Sequence, residues 1–218
     1  KVEQVIGHFG KYCIPLFLFI SGYGFSLSTG IAAPPKYYIN KIVKFFISYW
    51  IVFFIFVPLS YFYSKWDFVR LDSYNLVLNF FALSSSYNHE WWFAIPYLLL
   101  IGLTPFFHQM KSNYIALLVL SFIFWGMSSV PSKIQEFLCW QPAYILGFIF
   151  SDLQIRKKLS KITNNNYLKI FILISSMLLV IFTFLTYNWD GMPFMVGFLI
   201  LVILIIYLHL PNIFKIIV

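Results

Sequence analysis

Most of this chain is too apolar, over stretches too long, to be housed in a water-soluble domain. A helix crosses the roughly 30 Å hydrocarbon core of a bilayer with about 20 residues at 1.5 Å each. About seven stretches approach that length: Tyr12–Ser28, Ile42–Tyr63, Trp91–His108, Tyr114–Ser129, Ile134–Ser151, Tyr167–Thr186 and Met192–Leu210. Lipid offers the backbone no water, so each run must satisfy its own N–H and C=O groups as a helix. The expected fold is an all-α polytopic integral membrane bundle, a single domain over residues 1–218. Pro15, Pro58, Pro96, Pro105 and Pro142 fall inside these runs and predict kinks and tilts. Leu76–Leu83 is too short to span and reads as an interfacial or re-entrant piece.

Composition agrees. Charged residues make up 10% of the chain, against about 25% in soluble domains. Hydrophobic residues make up 61% and aromatic residues 22%, and the mean hydropathy is +0.84. A net charge of +8 could point to nucleic acid, but the basic residues sit in short loops between apolar runs, where membrane topology accounts for them. With the Thr29–Lys41 loop placed in the cytoplasm and sides alternating, ten of the 15 basic residues fall inside, Lys36, Lys41, Lys44 and Lys111 among them. That is the bias of the positive-inside rule. Lys1 then lies outside and Val218 inside, and a chain that starts inside is expected to carry a further helix before Lys1. The residues Lys1–Lys11 do not form a signal peptide. Cys13 and Cys139 fit neither a disulfide framework nor a metal-ligand spacing.

One segment changes character abruptly. Ile14-Pro15-Leu16-Phe17-Leu18-Phe19-Ile20 runs into Ser21-Gly22-Tyr23-Gly24. Small and hydroxylated residues in a bilayer helix give up lipid contact and must face protein, water or a ligand. Gly22/Ser26 and Gly24/Ser28 are small pairs four apart, the spacing at which two helix backbones approach closely. The segment also resembles the second-helix signature of membrane acyltransferase family 3, in which a proline, a phenylalanine-rich run and Ser-Gly-Tyr follow one another; Pro15, Phe17, Phe19, Ser21, Gly22 and Tyr23 carry the match. Two further segments are similar. Tyr38–Tyr49 brings Lys41 and Lys44 to the mouth of an aromatic helix, where family members often have arginine, and Asn88-His89-Glu90-Trp91-Trp92-Phe93 is similar to the start of a later family helix. Tyr144–Gly147 with Asp152 also looks like a family helix.

The resemblance implies an O-acyltransferase of a bacterial-type cell membrane. Its donor would be a cytoplasmic acyl-CoA, acting as co-substrate and not as a bound cofactor, and its acceptor a hydroxyl of a surface glycan or lipid-linked sugar. It implies Ser21 at the acyl-transfer centre, with Phe17, Gly22, Tyr23, Lys41, Lys44, Glu90 and Trp92 in substrate binding. The plain readings are helix packing for Gly22, topology-setting charge for Lys41 and Lys44, and interfacial anchoring for Trp91 and Trp92. The family's catalytic histidine lies in a helix well upstream of the Ser-Gly motif, and His8, thirteen residues before Ser21, does not match it. The sequence is therefore expected to be a fragment lacking the first helix and the last ones. A catalytically inactive remnant and a transporter remain as alternatives, as does a different membrane O-acyltransferase using His209 as base. Asp190 reads as a turn residue and His108 as interfacial. No metal site is expected, and no nucleic-acid partner; membrane lipids are.

Overall fold

The computed structural model describes residues 13–28, 33–63, 72–129 and 134–153, with isolated positions between 155 and 174. The described residues form six α-helices and no strand: α1 Cys13–Ser28, α2 Pro35–Tyr63, α3 Ser73–Phe80, α4 Ala94–Gln109, α5 Tyr114–Gly126 and α6 Gln135–Phe150. The stretches expected at Tyr167–Thr186 and Met192–Leu210, and with them His209 and Asp190, lie outside the described residues, as does His8. Pro35–Ser60 and Trp91–Gln109 are long and apolar enough to cross a bilayer, while α1 and α5 are apolar but shorter.

Local chemistry sets the ends. Pro35 opens α2, where its missing N–H and fixed φ cost nothing. The helix starts seven residues before the apolar run at Ile42, because hydropathy marks the lipid-matched segment and not the helix terminus. Asp72 caps α3 by accepting from Asn75 N at 3.2 Å, and Asn113 caps α5 by accepting from Ala116 N at 3.1 Å. The short α3 stops at Ala82, which adopts φ 56° while the amides of Ala82 and Leu83 return to the carbonyls of Asn79 and Leu78. This C-terminal wrap normally favours glycine. Ala82 is buried there, so its methyl contact offsets part of the backbone cost.

The interfacial piece expected at Leu76–Leu83 is thus an eight-residue helix that docks on α2. Tyr49 donates its hydroxyl to the Asn79 carbonyl, and Trp50 Nε1 donates to the Phe80 carbonyl at 3.0 Å. Asn79 is fully buried and ties the following loop down through Ser86 Oγ (2.8 Å) and the Tyr87 amide (3.2 Å).

The centre of the molecule is α6, buried along nearly its whole length. It pairs with α5 through a two-bond clasp: Ser121 Oγ donates to Gln141 Oε1 at 3.0 Å and Gln141 Nε2 to the Ser121 carbonyl at 2.8 Å. It pairs more closely with α1. A Cβ on Gly22 would collide with the Tyr144 carbonyl, and one on Gly147 with the Phe19 carbonyl, so the two backbones touch where the helices cross. Gly24, in contrast, meets nothing within 4 Å. The small pair Gly22/Ser26 therefore packs as expected, but Gly24/Ser28 does not. Ser28 bonds the Tyr37 hydroxyl at 2.7 Å instead. Helices α2 and α5 turn a row of apolar residues outward, including Ile47, Ile51, Phe54 and Ile55 on α2 and Val119 and Ile123 on α5.

Candidate active site

One face of α1 carries Phe17, Ser21 and Ser28, which a helix brings into line. This face meets α4 at Phe17 and α2 at Ser28, which bonds Tyr37. Tyr97 of α4 packs against it. Its hydroxyl lies beside the Ser21 side chain, near enough for the two to interact electrostatically. Its ring packs on Phe17 (5.1 Å between centroids) and on Phe45 of α2 (5.4 Å). Tyr97 is the residue that sequence reasoning missed. Its signal was a phenol hydroxyl in the middle of an apolar run, which needs a polar partner when buried.

Below Tyr97 a second hydroxyl pair closes the interior. Thr104 Oγ1 donates to the Leu100 carbonyl at 2.8 Å, so the Tyr144 hydroxyl, 2.6 Å away, donates to Thr104. Tyr37, Tyr38 and Tyr97 lie within electrostatic range of Tyr144, which gathers four phenols from three helices.

Lys41 sits one helical turn before Phe45, at the same end of the molecule as Ser28. Its ammonium lies 5.3 Å from the centre of the Tyr37 ring and 5.9 Å from that of Phe25. Both lie within cation–π range, and Lys41 is still exposed. A second cation reaches this end from α4: Lys111 Nζ donates to Ser26 Oγ at 3.0 Å and lies 5.7 Å from the Phe148 ring centre. Ser151 donates to Ser26, completing a polar knot where the C-terminal ends of α1, α4 and α6 meet. His108, read from sequence as interfacial, is buried in that knot. It bonds the Phe25 carbonyl, and its ring lies 4.8 Å from that of Phe148. Burial beside a protein acceptor, not headgroup contact, satisfies it.

The other sequence-derived residues separate. Gly22 faces α6 and shapes the helix crossing. Tyr23 follows Ser21 by two positions, about 200° further round the helix, and does not share its face. Lys44 is exposed and outside the aromatic cage of Lys41. Glu90 lies in the 3-10 turn His89–Phe93, and its side chain is outside the described atoms. Trp92 packs at a tilt against Trp140, 5.4 Å between ring centres, at the end of the molecule away from Lys41.

That end holds two hollows divided by Trp91. An apolar groove of about 570 Å³ runs along α2 past Val52, Phe56 and Ser60 to Tyr87 and Asn88. The Tyr87 phenol there has its pKa pushed up by partial burial and by the Asp72 carboxylate. A smaller, more enclosed pocket of about 280 Å³ lies across Trp91. Among the described residues no group of histidines, cysteines and carboxylates is placed to hold a metal ion.

A family model described as an acyltransferase domain matches residues 2–217, nearly the entire sequence. The chain belongs to acyltransferase family 3. No curated protein and no solved structure matches it. In this family 3 chain Ser21 of the Ser-Gly motif lies beside Tyr97 of α4. Acyl transfer is the activity the family supports in general.

Proposed function

We propose that this family 3 protein is a multi-pass enzyme of the cell membrane, with about seven spans by the length criterion. It transfers an acyl group, acetyl being the simplest, from a cytoplasmic acyl-CoA to a hydroxyl of a surface glycan or lipid-linked saccharide. The observation that carries this reading is Ser21 of the Ser-Gly motif beside the Tyr97 hydroxyl, with Tyr97 packed on Phe45 and the caged but exposed Lys41 one turn of α2 before Phe45. Lys41 and Lys111 supply positive charge for donor phosphates at the end where α1, α4 and α6 terminate. The outward apolar rows of α2 and α5 suit lipid, and the basic residues of that end suit the cytoplasm.

In the reaction the acceptor oxygen attacks the thioester carbon. The acyl–sulfur bond breaks, an acyl–oxygen bond forms, and the thiol leaves with a proton. A general base takes the acceptor proton; the family resemblance puts that role on a histidine upstream of the Ser-Gly motif, and no described residue is assigned it. Ser21 and Tyr97 provide hydroxyl dipoles for the developing oxyanion.

The test compares Lys41→Ala with Lys44→Ala, using labelled acetyl-CoA and membranes that contain the natural full-length protein. A charge-assisted bond to a phosphate contributes about 1.5–3 kcal/mol, so Lys41→Ala should raise the donor KM about 10- to 150-fold. Lys44→Ala should change it far less. An unchanged donor KM in Lys41→Ala, with normal expression, would reduce this lysine to a topology determinant.

A further inference from the structure

The pocket of about 280 Å³ beyond Trp91 has a lining unlike the rest of the molecule. Trp91 and Trp92 form one wall, Ser84 and Ser85 bring hydroxyls from the loop after α3, and Glu136 brings a carboxylate from the first turn of α6. The Glu136 oxygen Oε2 is held by Trp140 Nε1 at 3.0 Å, and the Trp140 ring in turn packs at a tilt against that of Trp92. The carboxylate and the aromatic wall are thus fixed relative to each other before any ligand arrives. The loop is fixed as well, since Asn79 ties Ser86 and Tyr87 to α3. Flat aromatic faces beside a few oriented hydroxyl and carboxylate groups are what a sugar ring requires: its C–H faces pack on indole, and its hydroxyls exchange hydrogen bonds at the rim. The volume lies at the lower edge of the roughly 300–1,000 Å³ typical of small-molecule clefts, which suits one ring and not a long oligosaccharide.

Position adds to chemistry. Pro96 lines this pocket, and the next residue, Tyr97, lies beside Ser21. Trp92 precedes Tyr97 by five residues, about 7.5 Å along the axis. The pocket thus adjoins, through Pro96, the turn of α4 that carries Tyr97, on the side opposite Lys41 and Lys111.

We propose that this pocket is the acceptor subsite and binds one hexose-type ring, held by Trp92 and oriented by Glu136 and the Ser84/Ser85 hydroxyls. The inference rests on the acyl-transfer reading for its role in the reaction, but not for its ability to bind a sugar. Two measurements keep the two apart. Saturation-transfer NMR on the purified full-length protein in nanodiscs, with methyl glycosides of glucose, galactose and N-acetylglucosamine as probes, reads binding alone. At least one probe should show saturable transfer, reduced fivefold or more by Ser85→Phe, which fills the pocket, and by the milder Glu136→Gln. The same bulky swap at the exposed Ser112, at the opposite end of the molecule, should leave it unchanged. Absence of saturable transfer with every probe would overturn the proposal, and so would equal transfer in wild type and Glu136→Gln. Transfer of acetyl from acetyl-CoA is measured separately. Binding without turnover would leave the pocket standing and defeat the transferase reading. Turnover with an acceptor KM unaffected by Glu136→Gln would do the reverse.

Discussion

The α1–α6 crossing makes a sharp prediction about a single methyl group. In Gly22→Ala the new Cβ would strike the Tyr144 carbonyl oxygen and come within 2.9 Å of its carbon and 3.1 Å of Phe148 N. Every obstacle is backbone, so no rotamer change can make room, and the two helices must part by on the order of an ångström. The separation would loosen the Ser26–Ser151 contact a turn below and shift the adjacent Ser21. Overpacking of this kind typically costs 1–3 kcal/mol. For a protein of this size each kcal/mol shifts the midpoint by about 2–4 °C, so the loss should be roughly 2–12 °C. Gly147→Ala should behave alike, since its Cβ meets Phe19 backbone. Gly24→Ala is the control: its Cβ meets nothing within 4 Å, and alanine gains about 0.5–1 kcal/mol over glycine in a helix. Thermal unfolding of detergent-solubilised protein, followed by size-exclusion recovery, measures all three. Wild-type stability in Gly22→Ala, or an equal loss in Gly24→Ala, would refute the close crossing.

Tyr97→Phe and Ser21→Ala each remove one member of the hydroxyl pair. Loss of an oxyanion donor is worth about 10²–10³ in kcat, and the double variant should be little worse than either single one if the two act as a unit. Full additivity, or a change in donor KM alone, would count against that role. Asn79→Ala should cost about 1–3 kcal/mol by leaving buried loop groups unpaired. It should also expose the Ala82–Tyr87 loop to limited proteolysis, and an unaltered digestion pattern would refute its anchoring role. Cysteines placed at Ser73 and Ser112 should react with impermeant reagents from opposite sides of the membrane, Ser73 from outside; labelling of both from one side would contradict the proposed orientation.

Much of the helical order was legible in the residues. Where a run of apolar side chains is long, backbone hydrogen bonding leaves one local solution, and the expected stretches coincide with α1, α4, α5 and α6 within a few residues and with α2 except for its seven-residue N-terminal extension. Asp72 and Asn113 announce their caps, because a side chain three residues upstream of a free amide is a local event. The Ser-Gly motif, with the segments at Tyr38–Tyr49 and Asn88–Phe93, pointed to the family that the model match over residues 2–217 shows, since such motifs are spacings of residue types along the chain.

Tertiary packing decided what those residues do. A helix apolar on all faces, as α1 and α6 are, has no polar stripe to say which side is buried, and so Gly22 and Gly24 look alike until α6 lies against one of them. Lys41 and Lys44 read as an equivalent pair, but only Lys41 meets the rings of Phe25 and Tyr37, which arrive from different helices. Ser21 finds Tyr97 across 76 residues of chain, and Glu136 meets Ser84 and Trp92 only because α6 is threaded through the middle. Hydropathy is a property of a segment, whereas a site is a property of distances between segments, and those distances are set by which small side chains let two backbones touch.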